Sequence, residues 1–158
     1  MPVMLRSYKT LCTIISSPNT IMDEHISERY RSVGVDTAEG QSFVAKIAPL
    51  VAKTRGSGVT NNLGGFGGLF DLAACGFADP ILVAASDGVG SKVMLSRTAQ
   101  HRRHIGIDVV AMCVNDIVAM RAKPLFFLDY YACSQLKPQE AQDVIEGIVQ
   151  ACQACSCG

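Results

Sequence analysis

Ile105–Cys133, IGIDVVAMCVNDIVAMRAKPLFFLDYYAC, is the stretch on which the reading of the fold turns. It reads as an apolar helix, a short turn at Lys123-Pro124 and an almost wholly apolar strand. Asn115 and Asp116 interrupt the helix, and Asp129 follows Leu125-Phe126-Phe127-Leu128 at the strand's end. Burying a carboxylate is unfavourable by several kcal/mol unless a cation or hydrogen-bond donors compensate it. Two readings of these residues stand. Either Asp116 and Asp129 are a helix charge and a strand terminus, or both point into one anionic, metal-holding site.

The frame around this stretch is that of one folded domain. The chain has 158 residues, 49% of them hydrophobic, only 18% charged, and a formal net charge of zero. That length supports a core of useful size. Without a basic stripe interleaved with aromatics, nucleic acid is not an expected partner. No apolar run approaches the roughly 20 residues of a bilayer span, so no membrane association is expected. The seven cysteines (12, 75, 113, 133, 152, 155 and 157) are odd in number. Cys75, Cys113, Cys133 and Cys152 fall in apolar or helical contexts, where free Cys behaves as a small hydrophobe. This suits a reducing, cytoplasmic setting better than a disulfide framework. Cys152-x-x-Cys155-x-Cys157 also reads as a metal or redox cluster, although no second pair or His lies at zinc-like spacing.

Upstream of the central stretch, Gln100–His104 reads as a polar, basic surface turn, with His101 and His104 solvated among arginines. Before it, Pro80–Ala85 is a short buried strand running into Ser86-Asp87-Gly88-Val89-Gly90-Ser91-Lys92. A carboxylate, two glycines and a lysine at a strand end suit a polyphosphate. Asp87 can hold Mg²⁺, the Gly88 and Gly90 amides and Ser91 can meet phosphate oxygens, and Lys92 can neutralise charge. Gly64, Gly65, Gly67 and Gly68 surround Phe66 in a loop dense enough in glycine to cradle an anion. No Gly-Lys-Ser/Thr follows, which excludes a Walker A loop. A merely flexible loop explains the glycines equally well. Ser42–Thr54 has helical apolar spacing, with Pro49 expected to bend it, and Asp36 lies in the loop ahead, as a helix-terminal charge or a metal carboxylate.

The first 22 residues lack acidic side chains and are rich in Ser and Thr. They read as an organelle transit peptide or as sequence ahead of a true start at Met22, and residues 1–29 are taken as an extension outside the fold. Downstream, Lys137-Pro138 opens a last helix whose stripe is Ala141, Val144, Ile145, Ile148, Val149 and Cys152.

Taken together, DGVGSK, GGFGG and IGIDVVAMCVND…PLFFLDYYA closely resemble the aminoimidazole ribonucleotide synthetase (phosphoribosylformylglycinamidine cyclo-ligase) family from about Tyr30 onward. The resemblance implies an α+β domain in which a mixed sheet carries helices on one face. It also implies a homodimer in which the strands of two subunits pool into a barrel. Residues 30–158 would then be the N-terminal ATP- and metal-binding domain, with strands near Leu63–Phe70, Pro80–Ala85 and Pro124–Ala132. The implied reaction is ATP-driven ring closure of formylglycinamidine ribonucleotide in purine biosynthesis, through phosphorylation of the substrate's amide oxygen. By the same resemblance, Asp87 and Asp116 look like Mg²⁺ ligands and Asp36 like a weaker one. Lys92 looks like a nucleotide-phosphate contact, Asn115 and Ser91 like substrate or phosphate contacts, and Gly64–Gly68 like a loop closing over phosphates.

Two departures stand out. The family's Gly-Ala-Glu before the strand's Pro is here Arg121-Ala122-Lys123. The chain also stops before the family's Gly-Gly-Glu-Thr segment, so the last strand and the C-terminal domain are expected to be absent, leaving a sheet edge unpaired. Two rivals remain beside the cyclo-ligase. One is another ATP-using synthetase or kinase of the same superfamily, such as formylglycinamidine synthetase, selenophosphate synthetase or thiamine-phosphate kinase. The other is a non-catalytic fragment that acts only through a partner.

Overall fold

The computed structural model describes residues 28–60, 68–96 and 98–158. The chain divides into a unit ending at Thr37 and a larger one over Ala38–Gly158. In the first, residues 28–32 form a helical segment. Gly34, at φ 90°, turns the chain out of it, and the Val35 N–H returns to the Tyr30 carbonyl at 2.9 Å. That left-handed position favours glycine because no Cβ is present to clash. Asp36, the expected loop carboxylate, accepts a 2.9 Å bond from Arg31 Nε within the same unit.

Helix α1 spans Thr37–Val51, all but its first residue in the larger unit, and passes into a 3₁₀ turn, Ala52–Thr54. The helix begins earlier than its apolar spacing predicts. Pro49 stands inside it, and the tighter turn takes over three residues later. Only Ile47 of this helix is buried. On either side of residues 61–67 the chain is drawn together by an antiparallel bridge, Val59 to Phe70. The Asp71 N–H donates to Gly58 O at 2.8 Å beside it. A Cβ on Gly58 would meet the Phe70 ring at 2.5 Å, so only glycine allows this closure.

Helix α2 (Ala99–Ala119) is capped by Thr98, whose Oγ1 accepts from the His101 N–H, and α3 (Pro138–Ala154) opens with proline in its first turn. A side-chain oxygen at the cap satisfies one of the orphan N–H groups, and proline there forfeits no hydrogen bond. The expected surface turn over Gln100–His104 is therefore the first turn of α2. His101 and His104 are exposed as expected, but Arg102 is not. Its Nε and Nη2 both reach Asp143 Oδ2 at 2.8 Å, and Asp143 is 5% exposed.

The two long helices meet backbone to backbone. A Cβ on Gly106 would lie 2.1 Å from Val144 O, and one on Gly147 would lie 2.0 Å from Arg103 O. The core gathers beside this crossing from Ile47, Val110, Ile145, Ile148, Val149, Cys152 and Cys157. The predicted α3 stripe is borne out at Ala141, Ile145, Ile148, Val149 and Cys152, with Val144 half-buried.

The sheet is where expectation and structure part. Among the described residues no paired strand forms. Residues 80–89 and 124–132 lack ladder partners. Ile81 is 93% exposed, Leu128 70% and Tyr130 90%. The expected burial of Pro80–Ala85 is thus absent here, and the family's strand Leu63–Phe70 falls largely outside the described residues. The one backbone pairing along residues 124–132 is at the chain's last residue. Gly158 N–H donates to Leu125 O at 3.0 Å and Gly158 O accepts from Phe127 N–H at 2.7 Å.

Candidate functional site

The segment after residues 80–85 turns at Asp87, whose Oδ1 accepts the Gly88 N–H at 2.7 Å. Gly90, at φ 59°, then leads into a 3₁₀ helix, Gly90–Leu95. Ser91 and Lys92 ride on that helix and are exposed. Lys92 Nζ reaches α2, donating to Asp108 Oδ2 at 3.1 Å and to Met112 Sδ at 3.6 Å. Both charged side chains of the pair are nearly half exposed. Such a pair contributes about 1 kcal/mol or less, so a phosphate can draw the lysine away at little cost.

Asp108 and Met112 are four residues apart, and Asp116 is four further on. Residues at that spacing share one helix face. Asn115, three beyond Met112, lies on the same side. The face of α2 that receives Lys92 is therefore the face that carries Asn115 and Asp116, with Met112 and Asp116 separated by about 6 Å of helix rise. Asn115 and Asp116 are exposed, so Asp116 bears no cost of burial. The last turns of α2 run past the cover of α3, leaving Val118 and Met120 exposed as well.

Asp87, Gly88 and Gly90 lie elsewhere in the same neighbourhood. They line a cavity of about 840 Å³ together with Asp129, Arg102 and Cys157. Ser91, Lys92, Asn115 and Asp116 do not line it. The structure thus gathers the expected residues into two adjoining groups, one at the cavity wall and one on the helix face. Asp129 belongs to the first. Desolvation against the apolar lining pushes its carboxyl above the ordinary range, and a hydrogen bond with the Tyr130 backbone pulls it partly back.

Asp36 sits in the other unit with Arg31. Gly64, Gly65, Phe66 and Gly67 lie outside the described residues. Gly68 is exposed, and a Cβ there would meet Leu128 Cδ2 at 3.1 Å, so the end of the glycine-rich stretch abuts residues 124–132. Among the described residues no three His, Cys, Asp or Glu side chains converge as a metal cage. Mg²⁺ does not require one, since it binds through one or two carboxylates plus substrate phosphates. The exposed, hard-oxygen carboxylates of Asp87 and Asp116 fit that mode.

Two residues escaped the sequence reading. Asp108 holds Lys92, and its position eight residues before Asp116 was the available signal. Arg102 lines the cavity from within a cluster that reads as solvated. The departure at Arg121 also gains a physical account. α2 ends with Ala122 N–H bonded to Ile117 O at 3.1 Å and Arg121 N–H to Val118 O at 2.8 Å. This Schellman turn places Arg121 at φ 59°, the left-handed position at which glycine is favoured.

Among the described residues no helix is long and apolar enough to cross a membrane. Residues 70–158 match the family model described as AIR synthase related protein, N-terminal domain. Over 128 residues the chain is 54% identical to the trifunctional purine biosynthetic protein adenosine-3 of Gallus gallus, an alignment covering 81% of this chain and 13% of that protein. It thus spans a small part of that relative's length. Of the motifs on which the resemblance rested, DGVGSK and VAMCVND-PLFFLDYYA lie inside the matched residues, and GGFGG lies just before them. The chain belongs to the family of AIR synthase related proteins, whose N-terminal domain it carries over residues 70–158.

Proposed function

We propose that this chain is the nucleotide- and metal-binding portion of an ATP-dependent cyclo-ligase of purine biosynthesis, one that closes formylglycinamidine ribonucleotide to aminoimidazole ribonucleotide. The observation that carries the reading is the docking of Lys92 onto the α2 face that also bears Asn115 and Asp116. On this proposal Lys92 exchanges Asp108 for a nucleotide phosphate, and the Gly88 and Gly90 amides with the Ser91 hydroxyl orient the phosphate oxygens. Asp87 and Asp116 hold Mg²⁺, which when bound neutralises charge on the transferred group. Asn115 contacts the nucleotide or the ribonucleotide substrate. The task of these side chains is positioning and charge neutralisation, as phosphoryl transfer requires.

Dimerisation belongs to the same proposal. The unpaired backbone of residues 80–89 and 124–132, with Ile81, Leu128 and Tyr130 facing solvent, is the surface that a second copy would cover to complete a sheet. The relative's name supports a place in purine biosynthesis, and the free-thiol cysteine pattern supports a reducing, cytoplasmic setting.

Titration calorimetry with ATP·Mg²⁺ tests the site. Micromolar-to-millimolar binding to the chain, lost in Asp87→Ala and in Asp116→Ala, is the expected result. Binding that survives both substitutions would place the nucleotide elsewhere and sink this assignment.

A further inference from the structure

Helix α3 ends in the same turn as α2. The Cys157 N–H reaches Cys152 O at 2.9 Å, the Ser156 N–H reaches Gln153 O at 3.3 Å, and Ser156 stands at φ 55°. Such a turn folds the chain back so that the side chains at its two ends meet, a contact usually filled by apolar groups. In α2 those ends are Ile117 and Ala122. In α3 both ends are cysteines.

Cys152 is 3% exposed and Cys157 2%, and the turn's backbone bonds bring the two residues together in the core. Cys155, between them, is half-buried and its Sγ donates to Cys152 O at 3.5 Å. All three are free thiols. The trio forms no metal-holding group, which leaves thiol chemistry. Cys157 also lines the 840 Å³ cavity, which is the side from which a small reagent would approach the pair.

We propose that Cys152 and Cys157 form a reversible dithiol–disulfide pair, oxidised by low-molecular-weight disulfides that enter through the cavity. The Cys157 thiolate attacks one sulfur of the reagent, breaking its S–S bond and releasing one thiolate. Cys152 gives its proton to that leaving group and attacks Cys157 Sγ, forming the protein disulfide and expelling the second thiolate. Two protein thiols are oxidised and one small disulfide is reduced to two thiols. The order of attack follows the environment. Interaction with the Cys152 side chain lowers the Cys157 thiol, and the same interaction together with burial raises that of Cys152. The linkage clamps the turn that presents Gly158 to Leu125 and Phe127, and so reaches the segment carrying Asp129.

The test is differential alkylation of the folded chain after exposure to hydroxyethyl disulfide. Remaining free thiols are blocked, disulfides are then reduced, and the released thiols are tagged and located by mass spectrometry. The expected pattern is tags on both Cys152 and Cys157, whose peptides carry no reagent adduct before reduction, and none on Cys155, while the exposed Cys133 carries a reagent adduct instead. Cys155→Ser should leave that pattern unchanged, and Cys152→Ser should reduce it to a mixed disulfide on Cys157. Tags on any pair that includes Cys155, a mixed disulfide alone in the unsubstituted chain, or full protection of all three would overturn the proposal. Mapping of the unsubstituted chain decides the matter even where a variant misfolds.

Discussion

The α2–α3 pair and the unpaired segments at 80–89 and 124–132 are both rich in apolar residues but treat them in opposite ways. In the helices, Gly106 and Gly147 let two backbones touch, and Val110, Ile145, Ile148 and Val149 fill the space beside them. In the segments at 80–89 and 124–132, Ile81, Leu82, Leu128 and Tyr130 stand in water without ladder partners. A helix satisfies its hydrogen bonds within itself, so a pair of them can close a core inside one chain. An extended segment needs a neighbour for every bond it makes. The helical half is therefore complete alone, and the other half is complete only with something beside it.

Breaking the helical half should have the largest effect. Arg102→Ala leaves Asp143 buried without its cation and is expected to lower unfolding free energy by about 3 to 5 kcal/mol in urea titrations. Gly106→Ala, with a Cβ driven toward Val144 O, should lose about 1 to 3 kcal/mol in the same assay. A loss equal to an ordinary exposed Gly→Ala change, or a gain, would mean that the two helices do not touch at the backbone. Where the halves join, Arg121→Gly relieves a left-handed arginine and should gain about 1 kcal/mol. A shift in thermal midpoint is the readout.

The open half should respond weakly in stability and strongly in association. Ile81→Lys and Leu128→Lys are each expected to change unfolding free energy by no more than about 0.5 kcal/mol, while sedimentation shows less self-association than the unsubstituted chain. Unaltered sedimentation in both would remove this surface as an interface. The smallest effect is that of pH. The folded-state carboxyl of Asp129 is raised, so its contribution to stability is full below the ordinary carboxylate range and is lost as pH rises through the raised value. Asp129→Asn should flatten that decline, seen as a smaller difference in denaturation midpoint between acid and neutral solution.

What could be read in advance follows the same division. The α3 stripe was legible because each apolar residue recurs at the helical period and meets a core of the same chain. The start of α2 was not, because His101, Arg102, Arg103 and His104 carry no apolar period; the signal lay in Thr98 as a cap. The strands expected at residues 80–85 and 124–132 are not formed among the described residues, because pairing depends on partners remote in sequence or in another chain. The exposure of Asp116 has a related reason. An apolar neighbourhood along a helix implies burial only where a second element covers it, and α3 covers Ile105 to Cys113 but not Val118 or Met120. The grouping of Lys92 with Asp108 required a fold-back that no local pattern encodes.

The touching glycines have one more consequence. The hydrogen that stands where each missing Cβ would be points at a carbonyl of the opposite helix, Gly106 toward Val144 O and Gly147 toward Arg103 O. These are reciprocal Cα–H···O contacts, with a carbon-to-oxygen reach of about 3.5 Å. Two of them, one in each direction, act as a key cut for a single notch. Sliding either helix by one turn, about 5.4 Å, would bring a side chain into a gap that holds only hydrogen. The register that pairs Arg102 with Asp143 and Arg103 with Glu146 is therefore the only one in which the helices can lie this close.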